Sequence, residues 1–194
     1  MKRFNDINLR YFINYKRINS IFLGISVGTI FILYKPLEPS IYSIGGIFLA
    51  LSMLLIAKFY SKILNRYYFY RLSMMIEFIM LFLIVYFLIF SYSYTTALLI
   101  YIGYQTTFAF GSYLIRAETL LLNHPKVLTF LDVAKQVGYL IGMLVSYLFY
   151  KGLELSMQIY DFDTQVYFLH FLLLLAEIIT ITYLFLAFKK KISI

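Results

Sequence analysis

Three ionisable side chains, Glu77, His170 and Glu177, fall inside apolar stretches of the chain. If those stretches are helices in a bilayer, each group costs at least about 2.5–3.5 kcal/mol to insert, so it faces protein or water and is a functional candidate. His170 precedes Glu177 by seven residues, on nearly the same helix face, and this spacing predicts a proton relay. The alternative is a protonated Glu177 that hydrogen-bonds a neighbouring helix, with His170 at the outer interface. Glu77 is a third proton-coupling candidate, or else the partner of a nearby basic residue or part of a polar helix contact.

A second group of polar side chains is uncharged and lies within one apolar stretch, residues 95–115. Its members are Tyr101, Tyr104, Gln105, Thr106, Thr107 and Ser112. Buried amides and hydroxyls need hydrogen-bond partners, which either a water-filled substrate path or a neighbouring helix supplies. Tyr101, Gln105 and Ser112 fall at i, i+4 and i+11, on one face of a helix, and we predict that this face lines a cavity.

No enzyme motif accompanies these groups. The chain has no cysteine and only two histidines, which excludes thiol nucleophiles and cysteine-based metal sites. The sequence His-Glu-x-x-His of metalloproteases is absent, and Gly111-Ser112-Tyr113 lacks the setting of an intramembrane serine protease. We therefore predict neither catalysis nor a metal site, and no cofactor.

The composition identifies the solvent around these residues as a bilayer. Of 194 residues, 62% are hydrophobic and 13% charged, with a mean hydropathy of +0.83. A soluble domain carries about a quarter charged residues, so a soluble enzyme, a nucleic-acid-binding domain and a disordered chain are all excluded. At about 30 residues for each span and its connection, the chain accommodates six transmembrane helices. The predicted spans are residues 18–34, 41–57, 72–92, 95–115, 136–150 and 166–188.

Breaks between the spans support this division. Residues 35–39 contain two prolines, which cannot continue a helix, and residues 58–71 carry four basic side chains. The apolar run 72–115 has 44 residues and would extend about 66 Å as one helix, over twice the ~30 Å hydrocarbon thickness. It must therefore turn back in a tight hairpin at 91–95. Two further polar connections are predicted at 116–135 and 151–163.

The basic residues define an orientation. With both termini in the cytoplasm, 15 of the 17 Lys and Arg residues lie on the inner side, and only Lys35 and Lys151 lie outside. This bias follows the positive-inside rule, so the net charge of +8 reports topology rather than nucleic-acid binding. Richness in Ile, Phe, Tyr, Asn and Lys is typical of an AT-rich genome. We therefore expect a multi-pass protein of a bacterial inner (cytoplasmic) membrane.

Three segments are predicted along the chain. Residues 1–17 form a basic, amphipathic, cytoplasmic segment, 18–188 form the six-helix transmembrane domain, and 189–194 form a basic cytoplasmic tail. Arg3, Arg10 and Arg17 recur every seven residues, opposite a face of Phe, Ile and Tyr. This spacing predicts a short helix lying on anionic lipid, with an unstructured positive leader as the alternative.

Small residues one turn apart predict close helix packing. They occur as Gly24-x-x-x-Gly28 in the first span and Gly138-x-x-x-Gly142 in the fifth, with a weaker pair, Gly46 and Ala50, in the second.

Three passages resemble the major facilitator superfamily of transporters. A glycine-rich first span ends in Tyr34-x-Pro36. The segment Ser61-Lys-Ile-Leu-Asn65-Arg66-Tyr-Tyr-Phe-Tyr-Arg71 is similar to the family signature Gly-x-Leu-Ala-Asp-Arg-x-Gly-Arg-Lys. A polar exit from the fourth span, Arg116-Ala-Glu118, leads to the Gly-x-x-x-Gly fifth span. The resemblance implies that Asn65, Arg66, Arg71 and Arg116 belong to gating loops.

The resemblance also implies an architecture and a function. It implies that the chain is one six-helix half of such a transporter, built as a 3+3 inverted repeat. Members of the family normally have two such halves, and the substrate binds between them. It puts the first and fourth spans at the cavity and the third and sixth spans at the periphery. This placement favours four residues as substrate-binding: Thr29, Tyr101, Gln105 and Thr106. The expected function is transport of a small solute by alternating access, with a homodimer or a second half-transporter as partner. The alternative is a non-transporting membrane protein, either an assembly partner or a truncated, degenerate transporter.

Overall fold

The structure, a computed structural model, describes residues 7–189, and within them it is helical without strands. The predicted all-α fold is confirmed. The helices are α1 (Leu9–Ser26), α2 (Ile30–Leu33), α3 (Pro39–Lys58), α4 (Tyr60–Ile63), α5 (Arg66–Ile89), α6 (Tyr94–Leu122), α7 (Pro125–Met157) and α8 (Phe162–Phe188). Residues 1–6 and 190–194, which include Arg3 and most of the predicted tail, lie outside the described part of the chain.

Five of these helices, α3, α5, α6, α7 and α8, are long and apolar enough to cross a membrane. The chain is therefore a helical, multi-pass membrane protein. These helices correspond to the second through sixth predicted spans. Each begins at a residue suited to that position. Pro39 and Pro125 occupy the first turns of α3 and α7, where a missing N–H costs nothing, and Asn65, Ser93 and Asp161 cap α5, α6 and α8 through their side chains.

The first predicted span, 18–34, is not one helix. Its first part continues α1, which starts at Leu9, and a turn at 27–29 separates α1 from the short α2. The boundary predicted between residues 17 and 18 thus falls inside α1, because no helix-breaking residue stands there. Phe12 and Tyr15 from the predicted interfacial segment are 1% and 2% exposed, so this part of α1 is packed against protein.

The connections differ in length from the prediction. The hairpin between α5 and α6 lies at residues 90–93, close to the predicted 91–95. The polar segment 116–135, by contrast, is almost entirely helical, and only Asn123 and His124 separate α6 from α7. Polar side chains do not end a helix, and the stop comes from Asn123 at φ 22° and from Pro125, which starts the next helix.

The described chain forms two compact units. The first unit comprises residues 7–32 and 124–189, in which α1 packs against both α7 and α8. The Asn8 backbone N–H donates to the Ala187 carbonyl at 2.9 Å, and the rings of Tyr11 and Tyr183 lie 6.2 Å apart. The start of α1 therefore lies beside the end of α8, and the two helices run antiparallel.

Glycines bring α1 and α7 into backbone contact. A Cβ placed on Gly138 would lie 2.4 Å from the carbonyl oxygen of Arg17, and one on Gly142 would lie 2.2 Å from that of Ile21. A Cβ on Gly24 would lie 2.3 Å from the carbonyl oxygen of Tyr139. The predicted close packing is confirmed for these three glycines but not for Gly28, whose added Cβ would meet no atom of residues 7–189 within 4 Å.

The second unit, Leu33–Asn123, is organised around α6, which packs against α5 and α3. On α5, the Leu83 side chain fills the space left by Gly103. On α3, Gly45 leaves space for the Tyr101 ring. A Cβ added to Gly46, from the predicted small-residue pair, would meet no atom within 4 Å in the described part of the chain. No residue of α3 is buried. This helix therefore contacts the rest of its unit along a narrow line and leaves its other faces open.

Candidate functional site

A groove of about 430 Å³ lies between α3 and α6 in the second unit. Its volume is within the range of pockets that hold small molecules. Phe48 and Leu55 on its α3 wall are 64% and 55% exposed, so the groove is open rather than sealed. It is lined by Gly45, Phe48, Leu49, Ser52, Leu55, Ile56, Tyr101, Ile102, Gln105, Thr106, Ala109 and Phe110.

Three of the four predicted substrate-binding residues, Tyr101, Gln105 and Thr106, line this groove. They fall on consecutive turns near the middle of α6, which at 29 residues extends about 43 Å. Ser112, predicted on the same face as Tyr101 and Gln105, is not among the residues that line the groove. The role of these residues in binding a substrate remains a prediction.

A tyrosine cluster adjoins the groove at Tyr101. The rings of Tyr34 and Tyr42 meet the Tyr101 ring edge to face, at centroid distances of 5.5 and 5.4 Å. The Tyr42 hydroxyl donates to the Tyr34 carbonyl at 3.0 Å, and the Tyr101 hydroxyl donates to the Tyr42 carbonyl at 3.3 Å. Edge-to-face tyrosines are a stable arrangement. They hold the chain between α2 and α3 against α6 and fix the Tyr101 ring in place.

The polar groups of the α6 wall differ in how they are satisfied. The Thr106 hydroxyl donates to the Ile102 carbonyl of its own helix at 2.9 Å. Gln105 Oε1 is shielded from solvent and has no hydrogen-bond partner among the described residues. A buried amide oxygen without a donor costs about 1–3 kcal/mol, so such an atom calls for an explanation.

Thr29, the fourth predicted substrate-binding residue, belongs to the first unit. It is 1% exposed and lies in the turn that follows α1. Its hydroxyl donates to the Ser26 carbonyl at 2.7 Å. The contact that the structure gives this hydroxyl is therefore local, and it closes the turn at the end of α1.

The proton-coupling candidates are all buried. Glu77 on α5 is 2% exposed, and His170 and Glu177 on α8 are 4% and 0% exposed. His170 Nδ1 lies 2.7 Å from the Val166 carbonyl oxygen, which can only accept. Nδ1 therefore donates the hydrogen in this contact. The burial of Glu177 does not distinguish the relay from the hydrogen-bonded, protonated acid, and both stay predictions.

Two of the predicted gating residues, Asn65 and Arg66, lie where α4 ends and α5 begins. Asn65 caps α5, where its Oδ1 accepts from the Tyr68 N–H at 3.1 Å and its Nδ2 donates to the Lys62 carbonyl at 2.9 Å. Arg66 is the first residue of α5. The Asn65 amide oxygen thus caps the start of α5 by accepting a backbone N–H, as an aspartate carboxylate would at this position.

The two remaining basic residues of this group lie over aromatic rings. The Arg71 guanidinium lies 4.3 Å from the Tyr67 ring centroid, and that of Arg116 lies 5.7 Å from the Tyr60 ring centroid. Such cation–π contacts keep a guanidinium at a defined place while it stays charged.

Tyr113 is a residue that the sequence did not single out. It is fully buried on α6, and its hydroxyl donates to the Ile63 carbonyl at the end of α4 at 2.8 Å. The two residues are 50 positions apart. No local pattern predicts such a pair, and tyrosines near span ends are expected at the membrane interface in any case.

Within residues 7–189 no group of three or more His, Cys, Asp or Glu side chains could hold a metal ion. Comparison of the chain with protein-family models, with curated protein sequences and with solved structures gives no match.

Proposed function

We propose that this chain is a membrane transporter-like protein that moves a small solute by alternating access, with the α3–α6 groove as part of its path. The groove carries the proposal. It lies beside the middle of α6, and transporters bind substrate near the middle of their spans. Its α6 wall bears Tyr101, Gln105 and Thr106, in a mostly apolar lining that also includes Ser52. An apolar pocket with a few polar groups is the usual form of a small-molecule site.

The helix pairing within the two units supports a 3+3 repeat. In the first unit, α1 packs against α7 and α8, and in the second unit α6 packs against α3 and α5. Suppose that α1 and α2 together make the first of six spans. In the first unit, the first span then packs against the fifth and sixth spans. In the second unit, the fourth span packs against the second and third spans. Exchanging the two halves of the chain converts one set of pairs into the other. An inverted repeat of the kind found in one half of a facilitator-type transporter predicts this exchange.

The packing of α1 supports a sixth span. The eighteen residues of α1 extend about 27 Å alongside α8, and the turn and α2 add further length. The bond between Asn8 and Ala187 joins the two ends of the described chain. Both termini on one side of the membrane require an even number of spans. Under the positive-inside rule, that side is the cytoplasm, here proposed to be that of a bacterium.

A single half of such a transporter supplies half of a substrate path. Since α3 has no buried residue, one of its faces is available to a second copy or to a separate half-transporter. We take a homodimer as the working assembly. Glu77, His170 and Glu177 are then the candidates for coupling solute movement to protons.

Cysteine accessibility tests the proposal without knowledge of the solute. The chain has no native cysteine, so a single introduced thiol reports one position. We expect Thr106→Cys to react with a charged, membrane-impermeant maleimide in both right-side-out and inverted vesicles, because alternating access opens the groove to each side in turn. Phe108→Cys is the matched control. It lies two residues away on α6, is 55% exposed, is outside the groove lining, and should label slowly from both sides.

The alternative function, a non-transporting membrane protein, predicts another result. An assembly partner or a degenerate transporter has no reason to expose the middle of α6 to both sides. Labelling of Thr106→Cys from one side only, or from neither, with full labelling after denaturation, contradicts transport and favours this alternative.

A further inference from the structure

The chemistry of the α3–α6 groove restricts what it can bind. None of the residues that line it carries a charge, and eight of the twelve are Gly, Ala, Phe, Leu or Ile. An ion that entered the groove would lose its hydration without gaining a counter-charge, which is unfavourable. The groove therefore fits a neutral molecule with a mainly apolar body.

The polar groups of the wall point to a hydrogen-bond donor on that molecule. Tyr101 and Thr106 already donate their hydroxyl hydrogens to the carbonyls of Tyr42 and Ile102, so neither hydroxyl has a hydrogen left to donate to a ligand. Gln105 Oε1 is an acceptor without a donor. The last torsion of glutamine is soft, so a rotation of the amide can turn Oε1 toward the groove at little cost.

We propose that the groove binds a neutral, lipid-soluble molecule that bears a hydroxyl or N–H donor, and that Gln105 accepts the hydrogen bond from it. This proposal rests on the proposed function, whose substrate class it names. Binding satisfies the amide oxygen that is otherwise unpaired, and the apolar body covers Phe48, Leu55 and Ile102, which are exposed at the groove.

Two isomeric probes test the donor. Decanol and methyl nonyl ether have the same atoms and nearly the same shape, but only decanol donates a hydrogen bond. We expect decanol to bind the purified full-length protein about 2- to 10-fold more tightly than the ether, from the value of one hydrogen bond. Dissociation constants follow from the rise in melting temperature with probe concentration, read by circular dichroism. Decanoate, which is charged and has no donor at pH 8, should bind more weakly than decanol.

Variants locate the site. In Gln105→Leu the preference for decanol over the ether should fall to about one, while the ether still binds. Ser52→Leu fills the α3 wall and should weaken both probes alike. Phe108→Leu, on the same helix outside the groove, should leave both affinities unchanged. Gln105→Leu removes an unpaired buried oxygen, so we expect it to fold.

Several results would overturn the proposal. These are equal binding of decanol and the ether, a preference that survives in Gln105→Leu, tighter binding of decanoate, or a stable dimer that shows no response to decanol because a second copy covers the groove. The maleimide experiment is independent of all of them. Two-sided labelling without a decanol preference leaves transport standing and removes this ligand class. A decanol preference with one-sided labelling leaves the binding site standing and removes transport.

Discussion

Replacing Gly142 by alanine tests the backbone contact between α1 and α7. The new Cβ would lie 2.2 Å from the Ile21 carbonyl oxygen and 2.9 Å from Gly24 Cα. Both are backbone atoms, so neither can turn aside as a flexible side chain would. An ordinary contact is 3.4 Å or longer, so α1 and α7 must separate locally by about 1.2 Å, which is 3.4 minus 2.2.

A separation of this size has a definite cost. A gap of about 1 Å removes up to about half of the attraction between the atoms that face it, and overpacking an interior costs about 1–3 kcal/mol. Alanine also favours a helix over glycine by up to about 1 kcal/mol. Gly152→Ala on the same helix measures that gain alone, because no atom of the described residues lies within 4 Å of its added Cβ. The free energies of unfolding of the two variants should therefore differ by about 1–3 kcal/mol.

The assay is thermal unfolding of both purified variants in one detergent, followed by circular dichroism. For a domain of this size each kcal/mol corresponds to about 2–4 °C, so Gly142→Ala should melt clearly below Gly152→Ala. Equal melting temperatures would refute the reasoning, because they would mean that α1 and α7 can move apart freely at this crossing.

Two further predictions concern hydrogen bonds at helix ends. Tyr113→Phe removes the bond to the Ile63 carbonyl and should cost about 1 kcal/mol, with faster amide hydrogen exchange in α4, whereas Tyr147→Phe at an exposed position should change neither. The Thr164 hydroxyl and backbone N–H hold the pKa of Asp161 below its usual range. Because the folded pKa is the lower one, the stability from this cap is present above about pH 4 and is lost as pH falls through the folded pKa. The melting-temperature advantage of the wild type over Asp161→Asn should therefore shrink between pH 6 and pH 3, and a constant difference would contradict the assignment.

The sequence predicted those elements that depend on length and on backbone chemistry. The hairpin near residues 91–95 was predictable because no single helix of 44 residues fits a bilayer, and Ser93 then provides the cap of α6. The start of α3 was predictable from the prolines at 36 and 39. Tyr101 and Gln105 were predictable as a common face because i and i+4 always share one on a helix.

Other features depend on information that no local pattern holds. Helices continue beyond the hydrocarbon, so the polar segment 116–135 did not reveal that only two residues separate α6 from α7 along the chain. The small-residue pattern on α3 pointed to Gly46, but the residue in contact is Gly45, because only the neighbouring helix decides which side of α3 faces Tyr101. The hydrogen bond from Tyr113 to Ile63 likewise depends on which helices are neighbours, because the two residues are 50 positions apart in the chain.

The proposed repeat explains why the groove lies where it does. If α1 corresponds to α6 and α7 to α3, the crossing of α1 with α7 is the counterpart of the crossing of α6 with α3. At the first crossing, Gly24, Gly138 and Gly142 let the backbones touch. At the second crossing, α6 contributes the Tyr101 ring, which occupies the space beside Gly45.

The Tyr101 ring of α6 stands where α1 has a glycine, and it holds α3 and α6 apart. Beyond this ring the two helices enclose the groove of about 430 Å³ instead of packing in direct contact. The same pair of repeated helices would thus pack closely in the first unit, where glycines meet, and leave a groove in the second unit, where Tyr101 intervenes. On this reasoning Tyr101 acts first as a spacer. Tyr101→Ala should therefore reduce binding of decanol and its ether equally, through loss of the groove, whereas Gln105→Leu should change only the preference between them.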